Sequence, residues 1–202
     1  MVDWSTWWYR VKPLGEGTYG FVFLVLQENF NTPIVVKTIE LENSNSVIKE
    51  NKILSHFSSC LEIVKCYSHE ITIDEGRQWC NLFLKYAPAG DLIDLIEIAR
   101  GRMLESDVQV FTRMILKGLS CIHAKGIVHC DIKLENILVF PTKTGYQLEI
   151  ADFKLAKEPS EALLETKKYR LRGTLTYMPS ESVVLGKIGI AMDIYSLWDV
   201  LC

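Results

Sequence analysis

The stretch Val128-His129-Cys130-Asp131-Ile132-Lys133-Leu134-Glu135-Asn136-Ile137-Leu138-Val139 constrains this chain more than any other. It sets an aspartate, a lysine and an asparagine close together between two apolar runs. Apolar runs seek the interior, whereas ionised and amide groups must be hydrated or paired. The segment therefore predicts a loop whose polar ends converge between buried elements. The chemistry those ends allow is specific. An aspartate can take a proton from a hydroxyl, a lysine can neutralise a transferring anion, and an asparagine carbonyl can serve a hard cation.

What precedes this loop predicts a long helix. Val108, Phe111, Ile115, Leu119 and Ile122 recur at helical spacing on one face. Ser106 with Gln109 three residues on predicts a capping box at the start, and Gly126 is placed to end the helix. After the loop, Gln147 to Ile150 is strand-like and leads into Ala151-Asp152-Phe153, a second aspartate suited to a metal.

The first ninety or so residues carry a different pattern. Tyr9 to Leu14, Phe21 to Gln27, Ile34 to Glu40, Leu61 to Ser68, Glu70 to Asp74 and Trp79 to Tyr86 predict strands, with turn residues between them. One helix, Ser46 to Phe57, falls among them. The predicted organisation is an α+β chain with two lobes. Residues 1–87 form an antiparallel β-sheet lobe with one helix, and residues 88–202 a mostly helical lobe. The boundary lies near Ala87-Pro88-Ala89-Gly90, where both patterns break.

Between the first two strands lies Gly15-Glu16-Gly17-Thr18-Tyr19-Gly20. Glycines followed directly by a helix would suit a dinucleotide. Here Phe21-Val22-Phe23-Leu24-Val25-Leu26 follows, so the glycines predict a hairpin. It is either a plain turn or one whose backbone closes over phosphates. Lys37 ends the apolar run Ile34-Val35-Val36 and needs an anionic partner. Glu50 can supply it, because it shares the helical stripe of Val47, Leu54 and Phe57. A solvated glutamate on a short helix is the alternative, and the pair is the favoured reading.

Charge excludes some functions. With 22 basic and 25 acidic residues the net charge is −3, which gives no electrostatic case for nucleic acid or an acidic membrane. No run of apolar residues is long enough to span a bilayer. Met1 to Arg10 does not read as a signal peptide. The six cysteines contain no Cys-x-x-Cys pair, and predict free thiols in a reducing compartment, the cytoplasm, with the nucleus also open.

In chain order there are a glycine loop, a strand Lys37, a helix Glu50, a loop with Asp131, Lys133 and Asn136, and Asp152 after a strand. Gly173-Thr174 and Pro179-Ser180-Glu181 complete the series. Together these resemble the protein-kinase signature set. Val128 to Leu138 and the tryptophan-containing lead are similar to plant mitogen-activated protein kinase kinase kinases.

The resemblance implies ATP and Mg2+ as cofactors and a protein substrate, itself a kinase in a mitogen-activated cascade. It implies that Leu14, Gly15, Gly17 and Gly20 cover the nucleotide, and that Val22, Val35 and Leu138 line the adenine site. Leu84 stands at the gatekeeper position, and Lys85 to Ala87 form a hinge whose backbone reads adenine. Asp91 resembles the ribose contact, or is only the N-cap of the helix after it. Lys37 would hold phosphates, fixed by Glu50. Asp131 would be the base and Lys133 its companion, the latter being the choice of serine/threonine kinases. Asn136 and Asp152 would hold magnesium. Lys37→Met is expected to remove transfer while leaving the fold largely intact.

Several residues depart from that pattern. Cys130 replaces an arginine that pairs with a phosphorylated activation segment, so weak dependence on phosphorylation at Ser160, Thr166, Thr174 or Thr176 is expected. Arg170 or Arg172 is the alternative source of that charge. Lys154 replaces the glycine of Asp-Phe-Gly, Val35 an alanine, and Trp198 a glycine. The helix starting at Ile190 is expected to be central to the second lobe, and the resemblance implies further helices beyond Cys202, so the C-terminus is expected to be incomplete. Asp193 resembles a residue that braces the catalytic loop. The alternative reading is a catalytically impaired kinase-like module that binds nucleotide or partners as a scaffold.

Overall fold

The computed structural model describes residues 8–17, 20–27, 30–159, 161 and 172–201. Ser160, Thr166 and Arg170 lie outside the described residues. The chain divides into two compact units. The first comprises Met1–Ser58 and Val64–Tyr86, and the second Ser59–Ile63 and Ala87–Cys202.

The first unit is an antiparallel sheet of β1 (Trp8–Gly17), β2 (Gly20–Gln27), β3 (Phe30–Glu40), β4 (Cys66–Asp74) and β5 (Arg77–Lys85), in the order β1-β2-β3-β5-β4. Strand alternation gives it two faces. Val25, Ile34, Val36 and Phe83 pack on one, with Trp8 edge-on to Phe83. Ile39, Cys80 and Leu82 pack on the other beneath Val47 of the helix α1 (Asn45–Ser55). Inside the sheet Thr38 Oγ1 donates to Asn81 Oδ1, and Asn81 Nδ2 donates to Thr72 Oγ1, each at 2.8 Å. A buried polar chain of this kind across three strands penalises a slip of register, which would strand its groups.

Two expected strands merge and shift. Leu61 to Ser68 is not a strand. The strand begins at Cys66 and continues to Asp74, with one register shift against β5 between Cys66 and Ser68. Upstream, Ile63 makes only an isolated parallel bridge to Ile150, and Leu61 is exposed. The apolar run there finds a neighbour at one point rather than along its length.

In the second unit α2 (Leu92–Ile98) and α3 (Glu105–Ala124) precede a two-stranded sheet of β6 (Ile137–Thr142) and β7 (Gly145–Ile150). Beyond them lie α4 (Ser180–Leu185) and α5 (Ile190–Leu201). Phe111, Ile115, Leu119 and Ile122 form the buried stripe of α3, as their spacing predicts. The cap does not follow the prediction. Leu104 occupies the N-cap position without a side-chain hydrogen bond, so Ser106 lies within the first turn, and Gln109 instead donates to Glu105. Gly126 takes φ +69° just past the helix end, where a left-handed residue closes the last turn. At Gly118 a side chain would collide with Glu62 and Ile150, which lets the segment Ser59–Ile63 lie directly on α3. In α5, Met192 and Leu197 are buried, while Ile190, Ile194 and Trp198 are exposed.

Candidate active site

In the first unit, antiparallel pairing sets Val22 opposite Lys37 and Val35 opposite both Leu24 and Leu84. Residues directly opposite share a face, so Val22, Val35, Lys37 and Leu84 line the same side of the sheet as α1. Lys37 Nζ lies 2.6 Å from Glu50 Oε2, and Glu50 is only 1% exposed. The pairing follows from position. Central strand β3 holds the lysine, and the buried stripe of α1 brings the carboxylate to it. An ion this buried is tolerable only with its counter-charge.

Gly15 pairs with Val22 and Gly17 with Gly20, so the glycine segment is a hairpin between strands. Thr18 and Tyr19 lie outside the described residues. Gly20 passes so close to β3 that a Cβ would fall on the Thr38 carbonyl oxygen. Leu14 is exposed on β1. The Lys85 N–H donates to the Lys65 carbonyl, and the Ala87 carbonyl accepts from the Gly90 N–H.

In the second unit Asp91 is unambiguous in one respect. It caps α2, accepting from the Ile93 and Asp94 N–H groups, while Asp94 accepts from the Asp91 N–H in return. Burial raises its pKa, and these amide hydrogen bonds oppose the shift. Leu138 is half-buried and bridges Asp91.

The loop from His129 to Asn136 is held from beneath. Asp193, fully buried on α5, accepts from the His129 N–H at 2.8 Å through Oδ2 and from the Cys130 N–H at 2.9 Å through Oδ1. His123 Nε2 also reaches Oδ2 at 2.8 Å. His129 packs edge-on against the buried Phe153. Its Nδ1 accepts from the Asp131 N–H, which leaves Nε2 to donate to the Ala151 carbonyl at 3.0 Å. Cys130 and Asp152 both take positive φ, 69° and 64°, a costly conformation for residues with side chains. The Cys130 thiol is buried, and burial pushes it up to about 12.

This scaffold presents Asp131. Its Oδ1 accepts from the Thr174 hydroxyl at 2.7 Å and its Oδ2 from Asn136 Nδ2 at 3.1 Å. Lys133 Nζ stands 4.0 Å from Oδ2. Asn136 Nδ2 also donates to the Asp131 carbonyl, so Oδ1 is the atom Asn136 can offer a cation. The Ala151 N–H donates to the Asn136 carbonyl at 2.9 Å, which brings Asp152 next to Asn136 in the fold. No cluster of three or more metal-binding side chains occurs among the described residues. One carboxylate and one amide oxygen nevertheless suit magnesium, which completes its shell with phosphate and water. Lys154 Nζ already sits 2.6 Å from Asp152 Oδ2, a cation on that carboxylate. Arg172 lies 2.7 Å from Glu161.

Motif reading gave His123 no role and did not place the Thr174 hydroxyl on Asp131 or the His129 ring on the Ala151 carbonyl. These pairs lie 22 to 70 positions apart in sequence, and no local spacing predicts them.

Comparison with known proteins places these features in context. The family model described as protein kinase domain matches residues 8–201. Mitogen-activated protein kinase kinase kinase 20 of Arabidopsis thaliana is 36% identical over 196 residues, covering 94% of this chain and 56% of that protein. Mitogen-activated protein kinase kinase kinase 17 of the same plant is 35% identical, covering 94% and 49%. Mitogen-activated protein kinase kinase kinase A of Dictyostelium discoideum is 30% identical, covering 96% and 20%. The chain spans about half the length of the first two relatives.

Proposed function

We infer that this chain, which belongs to the protein kinase family, transfers the γ-phosphoryl group of ATP to serine or threonine hydroxyls of another kinase in a mitogen-activated cascade. One observation carries the reading. Asp131 is buried on a loop braced from beneath by Asp193, and already accepts a hydrogen bond from a threonine hydroxyl at 2.7 Å. A carboxylate so placed can receive the proton that a substrate hydroxyl loses as its oxygen attacks phosphorus. The names of the similar proteins support the choice of substrate class.

Bound magnesium-ATP supplies the phosphoryl group and the charge that offsets its oxygens. The chain's own residues bind and orient. Lys37, fixed by Glu50, meets phosphate oxygens. Asn136 Oδ1 and Asp152 would hold the cation when it is bound. Lys133 stands beside Asp131 and screens the negative charge near the attacked phosphoryl group. Val22, Val35 and Leu84, on one face of the first unit's sheet, would give apolar contact to a base. No covalent intermediate on the protein is needed, so positioning and electrostatics carry the rate.

The test is transfer of labelled γ-phosphate to a kinase-inactive mitogen-activated protein kinase kinase. Asp131→Asn should lower turnover by about a hundredfold or more, within the span of general-base effects, while the protein still unfolds cooperatively. Undiminished turnover refutes the assignment. A second reading, a nucleotide-binding scaffold with impaired catalysis, is favoured by the Lys154 ammonium on Asp152. It predicts nucleotide binding with no transfer even by the unmutated chain.

A further inference from the structure

The segment Ser59–Ile63 leaves the sequence neighbourhood of the first unit and lies in the second as a strap. It is fastened to β7 along its backbone. The Ile150 N–H donates to the Glu62 carbonyl at 2.8 Å, Ile63 bridges Ile150, and Gln147 Nε2 reaches the Leu61 carbonyl at 3.5 Å. It also lies on α3, where Gly118 leaves room for the Glu62 backbone. One helical turn beyond Gly118, on the same face, stands Cys121. Its Sγ is 2.9 Å from Cys60 Sγ, with the Cys60 thiol as donor. Both cysteines are free and only partly buried.

We propose that Cys60 and Cys121 form a redox-sensitive pair that a peroxide converts to a disulfide, stapling the strap to α3. The proposal does not depend on phosphoryl transfer. A disulfide needs two sulfurs in one place with backbones able to close on each other. Here the strap is held by the Ile150–Glu62 backbone hydrogen bond and by the Gln147 side chain, and the helix by its own core stripe, so the two sulfurs are kept within 2.9 Å of each other. Cys60 is the donor and Cys121 the acceptor in the thiol–thiol hydrogen bond, so the first attack is assigned to Cys121. Burial and that hydrogen bond push the Cys60 thiol up to about 12.

The chemistry balances. Cys121, as thiolate, attacks one peroxide oxygen. The O–O bond breaks and hydroxide leaves, taking a proton to become water, and Cys121 becomes a sulfenic acid. The Cys60 sulfur then attacks the Cys121 sulfur. The S–S bond forms, the S–O bond breaks, and the oxygen departs as a second water with the Cys60 proton. Two thiols are oxidised by two electrons in all, and one peroxide is reduced to two waters. The staple closes beside Ile150, which leads directly into Asp152.

The whole chain is treated with hydrogen peroxide near one equivalent, free thiols are blocked with a maleimide, and digests are mapped by mass spectrometry. The expected result is a linked Cys60–Cys121 peptide in monomeric protein as the main oxidation product, reversed by dithiothreitol. In Cys60→Ser the sulfenic acid on Cys121 has no resolving thiol, so trapping by a dimedone-type probe should rise about fivefold or more over the unmutated chain. Two results overturn the proposal. One is no linked peptide at peroxide levels that already oxidise other cysteines. The other is equal trapping of Cys121 with and without Cys60.

Discussion

Lys154 Nζ lies 2.6 Å from Asp152 Oδ2, two positions apart on the turn that follows β7. Asp152 is held at φ 64°, and the lysine is 44% exposed. A lysine ammonium and a divalent ion compete for the same oxygen. Exposed ion pairs are worth about 0.2–1 kcal/mol, so the competition is modest. Lys154→Gly should therefore tighten Mn2+ binding up to about fivefold, measured by calorimetry without nucleotide. An unchanged affinity means that the lysine yields to the ion at no cost.

The burial of Glu50 changes the expectation that Lys37→Met leaves the fold largely intact. The substitution takes away the cation 2.6 Å from a carboxylate that is 1% exposed. Breaking a buried pair from one side costs about 3–5 kcal/mol, and the partial exposure of Lys37 trims that to about 2–3 kcal/mol. Lys37→Met should unfold at a clearly lower urea concentration, and Lys37→Met with Glu50→Leu should recover much of the loss. A double variant no more stable than the single one contradicts this account.

Asp193 joins α5 to the loop through three hydrogen bonds. Asp193→Asn keeps the shape but offers a single acceptor oxygen, so one main-chain N–H loses its partner. The expected cost is about 2–3 kcal/mol. Turnover should fall by about tenfold or more, because the loop that positions Asp131 loosens. Melting temperature and single-turnover rates measure the two effects separately. A stable protein with full turnover shows that the loop holds itself.

The buried thiols set an alkaline limit on stability. Burial pushes Cys66 and Cys130 up to about 12, from an ordinary 9.0. Above pH 9.0 the unfolded chain loses protons that the folded one keeps, so the stabilisation is complete below that value and is lost as pH rises toward 12. Each such thiol contributes a slope of about 1.4 kcal/mol per pH unit. Urea unfolding between about pH 8 and pH 10.5 should show this decline, and Cys130→Ala should make it shallower. An equal slope in that variant removes Cys130 from the explanation.

The sequence alone determined what depends on neighbours along the chain. The apolar stripe of α3 could be read because helical spacing is fixed by 3.6 residues per turn. The strands of the first unit could be read from their β-branched runs. The Lys37–Glu50 pair was legible because both charges stand in apolar surroundings that forbid a lone ion. Even locally the cap of α3 was misplaced, since a serine inside the first turn looks the same in sequence as one at its edge. The tertiary structure decided contacts between positions far apart. The Thr174 hydroxyl on Asp131 and Cys121 against Cys60 are set by the path of the backbone, and Asp193 beneath His129 and Cys130 was expected only from the family resemblance, not from local pattern. No periodicity links residues separated by 43 to 64 positions. Leu61 to Val64 has the composition of a strand, yet it became a strap with one bridge, because a strand exists only where another backbone runs beside it to pair with.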